Sequence, residues 1–208
     1  MNKFVTAAAA ALVLAGPALA QELPSGFSAD IGAKHVSIDG DGESYVLARI
    51  GYDFGSSFGI QGDLGDGFGD YTIHGYMMTG NAKIGAFIGF DDEDTIGVEA
   101  MADLSDAVML EGYYATNDFV DTLALGGEYA FSPTLAVTAS IARIDAGAND
   151  YSQYQIGADY YFDQVPVVLI GSVGQSDGET MFSIGGRFEF SRNRTTTSAR
   201  DRLFGLGW

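Results

Sequence analysis

Residues 179–190 read E-T-M-F-S-I-G-G-R-F-E-F, and two faces separate along them. Phe182, Ile184, Gly186, Phe188 and Phe190 share one parity, while Ser183, Gly185, Arg187 and Glu189 share the other. Successive side chains of a β-strand point to opposite faces, so one side of this stretch is apolar enough for lipid and the other carries opposite charges. A soluble sheet hides its apolar face in a core; a membrane barrel turns that face outward and keeps the polar face inside. The strand also finishes on aromatics. The same ending, aromatic-x-Phe, recurs at Tyr52-Asp53-Phe54, Tyr129-Ala130-Phe131 and Tyr160-Tyr161-Phe162. With Phe188 and Phe190 these residues define an expected aromatic rim where a barrel wall meets the membrane interface. A secreted β-sandwich with aromatic strand ends in its core is the competing arrangement, and the rest of the chain decides between them.

The chain opens M-N-K-F-V-T-A-A-A-A-A-L-V-L-A-G-P-A-L-A-Q, with a basic Lys3, an apolar run over 4–15 and Ala18-Leu19-Ala20 as a small-x-small cleavage site. Residues 1–20 are therefore read as a secretory signal peptide. The apolar run is shorter than the roughly 20 residues a spanning helix needs, and no later segment reaches that length. Without cysteine there is neither a disulfide framework nor a thiolate metal site. An exported chain of this kind must draw its stability from backbone pairing, which a closed barrel supplies. The 29 glycines, 11 tyrosines and 14 phenylalanines suit tightly packed, curved strands.

Alternation and turn chemistry predict twelve strands: 27–38, 43–54, 57–64, 71–79, 82–90, 95–103, 107–116, 121–131, 134–144, 151–162, 165–174 and 179–190. Their lengths match a tilted membrane strand of ~9 to 11 residues. The parity of the fourth is ambiguous, because His74 and Tyr76 share one face and Ile73 and Met77 the other. Connections after even strands read as tight: 55–56, 80–81, 104–106, 132–133 and 163–164. Those after odd strands, at 39–42, 65–70, 91–94, 117–120, 145–150 and 175–178, are acidic and contain no Lys or Arg. Asp39, Asp41, Asp91, Asp92, Glu93 and Asp94 dominate them. A sandwich has no reason to sort its turns this way. An all-β, antiparallel transmembrane β-barrel with both ends in the periplasm, tight periplasmic turns and acidic outer loops does. The expected organisation is a signal peptide over 1–20, a periplasmic segment over 21–26, the barrel over 27–190 and a tail over 191–208.

The alternating strands, the aromatic-x-Phe ends and turns such as Y-D-F-G-S-S-F-G-I-Q-G-D-L-G resemble small Gram-negative outer-membrane β-barrels of the porin-like superfamily, over residues 27–190. The likeness is one of architecture. It implies outer-membrane localisation and insertion through a C-terminal aromatic signal, which Phe182-x-Ile184-x-Gly186-x-Phe188-x-Phe190 resembles. The chain departs from that pattern in residues 191–208, whose ending, Phe204-x-Leu206-x-Trp208, alternates toward a second terminal aromatic. Phe190 is expected to close the last strand, since 202–208 is short for a span. The tail, with Arg192, Arg194, Arg200 and Arg202, reads as a flexible periplasmic segment.

Inward parity places Asp30, Lys34, Arg49, Asp63, Glu99, Glu111, Glu128, Asp159 and Arg187 in the lumen, together with Asp53, Lys83, Asp103 and Glu189. Burying such a set dry is prohibitive unless every charge is paired, so water or a ladder of ion pairs is expected inside. Twelve strands lie between the ~8 of packed barrels and the ~16 of open ones. Inward glycines at 32, 51, 85, 97, 126, 157 and 185 are expected to leave room for water. The net charge of −18 repels phosphate and argues against nucleic acid. Expected partners are outer-membrane lipid and lipopolysaccharide, small solutes and divalent cations held loosely by the acidic loops; the outer wall leaves association between copies open. No cofactor or dedicated metal site is expected: D-G-D-G-E from Asp39 fails as a calcium loop, with Ser44 and Ile50 where it needs Gly and Glu. Nor is an enzyme, because no motif sets a nucleophile beside His74 to work with Glu99 or Glu111. The leading reading is passive, cation-preferring diffusion of small hydrophilic solutes, with Glu99 and Glu111 as the selecting acids opposed by Arg49 and Arg187. A structural or surface-interaction barrel with a plugged lumen is the alternative, and a membrane-embedded hydrolase a remote one.

Overall fold

A computed structural model describes residues 26–39, 41–65, 71–90, 94–147 and 149–189. The signal-peptide and tail assignments, Phe190, Asp91, Asp92 and Glu93 lie outside these residues. Twelve strands follow one another: β1 (Phe27–Ile38), β2 (Asp41–Phe54), β3 (Phe58–Leu64), β4 (Tyr71–Thr79), β5 (Ala82–Phe90), β6 (Thr95–Ser105), β7 (Val108–Thr116), β8 (Asp121–Ser132), β9 (Leu135–Ala146), β10 (Asn149–Tyr161), β11 (Val167–Ser176) and β12 (Glu179–Glu189). Each pairs antiparallel with its chain neighbours, and β1 pairs with β12 to close the barrel. Closure leaves no sheet edge, which is what a β-structure in hydrocarbon requires.

Strand bounds fall within two residues of the alternation, and period two decides which side faces out. Ile50, Leu125, Ile156 and Ile184 are 58%, 59%, 63% and 68% exposed on an outward apolar wall of the kind a membrane barrel turns to lipid. The parity of β4 is settled by the same criterion. Thr72, His74 and Tyr76 are buried, whereas Ile73 and Met77 stand outward.

Connection length does not separate the two ends, which corrects the sequence reading. Only two residues link β1 to β2, β9 to β10 and β11 to β12 at the acidic end, while five, 162–166, link β10 to β11 at the end bearing the termini. The β11–β12 turn has both central residues left-handed, Asp177 at φ 50° and Gly178 at φ 82°, the conformation that matches strand twist in a two-residue hairpin. Tight pairing thus draws several acids out of the expected loops. Asp41 belongs to β2, while Asp39 and Asp94 remain exposed between strands. The acidic end is also not free of base: Arg143 of β9 pairs with Asp150 at 2.9 Å.

At the end bearing the termini, Tyr52, Phe54, Tyr129, Phe131, Tyr160 and Phe162 are exposed in a rim, with Phe54 stacked on Phe58 at 4.7 Å. Phe188 is the exception, 6% exposed, because closure sets it between Ile31 of β1 and Val167 of β11. A second aromatic set marks the acidic end. Tyr71 stacks on Phe90 at 4.9 Å, Tyr114 donates to Asp121 at 2.9 Å, and Tyr154 donates to Gln175 at 2.9 Å. The apolar wall is therefore bounded by aromatics at both ends, as at the two interfaces of a bilayer.

Candidate functional site

The inner faces of β1 to β6 carry a continuous chain of charged contacts. Register sets Asp30 beside Arg49 and Arg49 beside Asp63. The guanidinium lies 3.7 Å from Asp30 and 3.2 Å from Asp63. Gln61, two residues from Asp63 on the same face, donates to both carboxylate oxygens at 2.8 and 3.0 Å. From β4, His74 places Nε2 3.4 Å from Asp63 and Nδ1 3.0 Å from Glu99. Both ring nitrogens face carboxylates, an arrangement that ties the ring down rather than offering it to a nucleophile.

Glu99 stands on β6, so this contact crosses all of β5. It can do so because β5 presents Gly85 there, paired with Glu99. A Cβ on Gly85 would sit 3.3 Å from Glu99 Oε1 and 3.0 Å from Tyr76 Cβ. On the other side of β4 the device repeats. Tyr76 lays its ring on Gly59 of β3, 2.5 Å from where a Cβ would be, and donates to Asp53 of β2 at 2.6 Å. Lys83 Nζ sits 4.8 Å from the centre of the same ring, within cation–π range. Arg49, Asp63 and His74 are 4%, 2% and 1% exposed. Polar and charged groups this deep are tolerated because each has hydrogen-bonding or ionic partners.

The inner faces of β9 to β12 carry a neutral relay beside the buried Asp159 and the Arg187–Glu189 pair. Gln155 donates to Ser172, Ser172 shares a hydrogen bond with Ser183, and Gln153 donates to Met181 Sδ at 3.3 Å. Nearer the acidic end, Phe87, Tyr113, Ala115, Ala124 and Ala142 form a buried apolar cluster inside the barrel. Three of the inward glycines expected to leave room are covered by neighbouring side chains. Phe87 fills the space over Gly97, Ser28 Oγ that over Gly51 and Thr138 Oγ1 that over Gly157.

Of the other residues placed inside by parity, Lys34, Glu111, Glu128, Asp159 and Arg187 are buried, and Arg187 pairs with Glu189 at 2.7 Å. Asp103 departs from the expectation: it is exposed near the end of β6, where a register shift between Asp103 and Ser105 interrupts the ladder. Glu99 and Glu111 are brought near each other, since Met101 is the partner of Glu111 and Glu99 lies two residues along. The linking roles of His74, Gln61, Tyr76 and Ser172 escape a reading of the sequence. For His74 and Tyr76 the signal is an inward glycine on the strand between two polar side chains, and it becomes visible only when register is known.

The sequence matches the family described as Outer membrane protein beta-barrel domain over residues 6–162. No curated protein matches it. Among solved structures, the KdgM porin superposes with a TM-score of 0.56 at 12% identity, covering 76% of this chain and 98% of that one. A further KdgM structure is a complex with disordered oligogalacturonate. The NanC porin gives a TM-score of 0.56 at 9% identity, covering 77% of this chain and 98% of that one. A mutant of the Rh. blastica porin gives 0.50 at 25% identity, covering 70% of this chain and 55% of that one. At such identities the KdgM and NanC likenesses are likenesses of fold.

Proposed function

The chain belongs to the outer membrane protein beta-barrel domain family, and on that premise we propose that it is a porin-like channel for passive, cation-preferring diffusion of small hydrophilic solutes across the outer membrane. The observation that carries this reading is the charge of the interior. Asp30, Asp63, Glu99, Glu111, Glu128 and Asp159 outnumber Lys34, Arg49 and Arg187 inside an apolar wall. A low-dielectric wall confines the field of such groups and raises the local concentration of counter-ions. At the mouth, exposed acids such as Asp39 and Asp94 add a field screened over ~8 to 10 Å at physiological salt. Cation preference is accordingly strongest in dilute salt and survives in concentrated salt. The oligogalacturonate of the KdgM complex is an anion by its name, and it is not carried over to an interior of this sign.

The termini then lie in the periplasm and the acidic connections outside, with the signal peptide removed after Ala20 and Phe190 serving as the assembly signal. Burial of Arg49, Asp63, His74 and Asp159, with the Phe87 cluster above them, favours a second reading, a structural barrel whose lumen is closed. Single-channel conductance of the refolded protein separates the two. The zero-current potential under a KCl gradient tests the sign. Cation selectivity in the wild type, reduced in Glu99→Gln combined with Glu111→Gln, is the expected result, and anion selectivity in the wild type would refute the electrostatic argument.

A further inference from the structure

The end of the barrel that bears the termini carries acids of its own. Asp103 near the end of β6, Asp106 in the turn to β7 and Asp163 on the 162–166 connection all stand exposed. Among the described residues none of the three pairs with a base. Lys83, whose register partner Met101 lies two residues before Asp103, sits over the Tyr76 ring instead. The other acids of this end are engaged, Asp53 by the Tyr76 hydroxyl and Glu189 by the Arg187 guanidinium. Elsewhere Arg49 is committed to Asp30 and Asp63, and Arg143 to Asp150 at the opposite end. Four of the ten Lys and Arg lie beyond β12, at Arg192, Arg194, Arg200 and Arg202, and Asp201 is the only acid over 191–208. We propose that residues 191–208 dock back over this mouth as a strap held by charge, with Arg192 and Arg194 on the lip that carries Asp163 and Arg200 and Arg202 on the lip that carries Asp103 and Asp106.

Position and length both suit the strap. The Glu189 N–H donates to the Pro166 carbonyl at 2.8 Å, so the chain leaves β12 beside the connection that carries Asp163. Arg192 follows three residues later, and an extended chain covers ~10 Å in that step. The far lip is half a turn away, because β6 stands opposite β12 in the closed order of strands. Twelve strands ~4.8 Å apart and tilted by about 40° enclose a backbone diameter of ~24 Å. Arg200 lies eleven residues beyond Glu189, a reach of ~36 Å, so the second arginine pair spans the mouth with slack. Only the uncharged T-T-T-S-A of 195–199 separates the two pairs. Exposed ion pairs are individually weak, but a tether of this length keeps the guanidiniums at an effective concentration in the millimolar range. A segment of this composition buries no core of its own, so the barrel supplies the surface on which it orders.

The inference goes beyond the channel reading, and its test does not depend on conduction. The chain has no cysteine, so spin labels at Ser105→Cys and Ala199→Cys mark the far lip and the tail alone, in refolded barrels shown to be folded by heat-modifiable migration. In vesicles of zwitterionic lipid at low salt, the labels should give a narrow distance peak shorter than the ~24 Å width of the mouth. Raising KCl to about 1 M, where the Debye length falls to ~3 Å, should cut the peak by about twofold or more, and so should Arg200→Gln combined with Arg202→Gln. Asp103→Lys with Asp106→Lys should abolish it. Adding Arg200→Glu and Arg202→Glu to that variant should bring it back, a rescue that mere crowding of the tail near the barrel does not give. A broad distribution at low salt, with every charge in place, overturns the inference. A peak indifferent to salt and to both arginines overturns it too, because the contact would then be apolar. A peak that forms only when anionic lipid is added assigns the tail to the membrane surface and overturns it as well.

Discussion

The β1–β6 wall and the β9–β12 wall face each other across one lumen and satisfy their polar atoms by different means. The first uses ionisable side chains and long reaches: Asp30, Arg49, Asp63, His74 and Glu99 form a chain that crosses β5 at a glycine. The second sets beside its Arg187–Glu189 pair a relay of neutral hydroxyls and amides between adjacent strands, Gln155 to Ser172 to Ser183. The difference is energetic as well as chemical. A neutral relay that loses one member leaves a group whose desolvation costs ~1–3 kcal/mol, whereas a buried ionic chain that loses one member leaves an uncompensated charge. The charged chain of β1 to β6 is therefore the brittle element of the barrel, and the neutral relay of β10 to β12 the tolerant one.

Arg49→Leu should give the largest effect, because it removes the only group bridging Asp30 and Asp63 among the described ion pairs. Breaking a buried pair in this way costs about 3–5 kcal/mol, read as a drop in the urea midpoint of the refolded barrel in vesicles. A loss no larger than that of a neutral-wall variant would erase the distinction between the walls. Tyr76→Phe comes next. It keeps the ring on Gly59 and deletes only the hydroxyl donated to Asp53, and a hydrogen bond to a charged group contributes about 1.5–3 kcal/mol. On the neutral side, Ser172→Ala should cost about 1–3 kcal/mol, the desolvation of neutral partners, Gln155 and Ser183, left without it.

Strand number, bounds and the faces of most strands, β4 excepted, were legible because each follows from period two, which a single strand displays by itself. Phe182, Ile184, Ser183 and Arg187 announce their faces without reference to any neighbour. What joins strands was not legible. That His74 would meet Glu99 depends on Gly85 standing between them in register, and register between strands is fixed by turn lengths and barrel closure rather than by alternation. The same cause explains Phe188, whose burial arises from the β1–β12 seam between residues far apart in sequence. Connection lengths misled because acidic residues such as Asp41 and Asp150 look like loop residues, yet a two-residue turn lets the ladder run through them.

The smallest effect expected lies outside both walls. Arg143 and Asp150 are paired at 2.9 Å on β9 and β10 near the acidic end, but their side chains are 68% and 45% exposed. Each pays little to leave water and gains little by meeting the other, so Arg143→Gln should cost no more than ~0.2–1 kcal/mol, and less as salt screens the pair. The contrast with Arg49 is the point, since that arginine is buried and bridges two carboxylates, whereas Arg143 meets one carboxylate in water. Urea titrations of Arg49→Leu and Arg143→Gln at low and high KCl put this to the test. The Arg49 loss should hold nearly constant with salt, because the Debye atmosphere does not reach a buried chain, and the small Arg143 loss should fade. If Arg143→Gln proved as damaging as Arg49→Leu, burial would not be what separates the two walls from the rim, and the ranking of all four variants would fall with it.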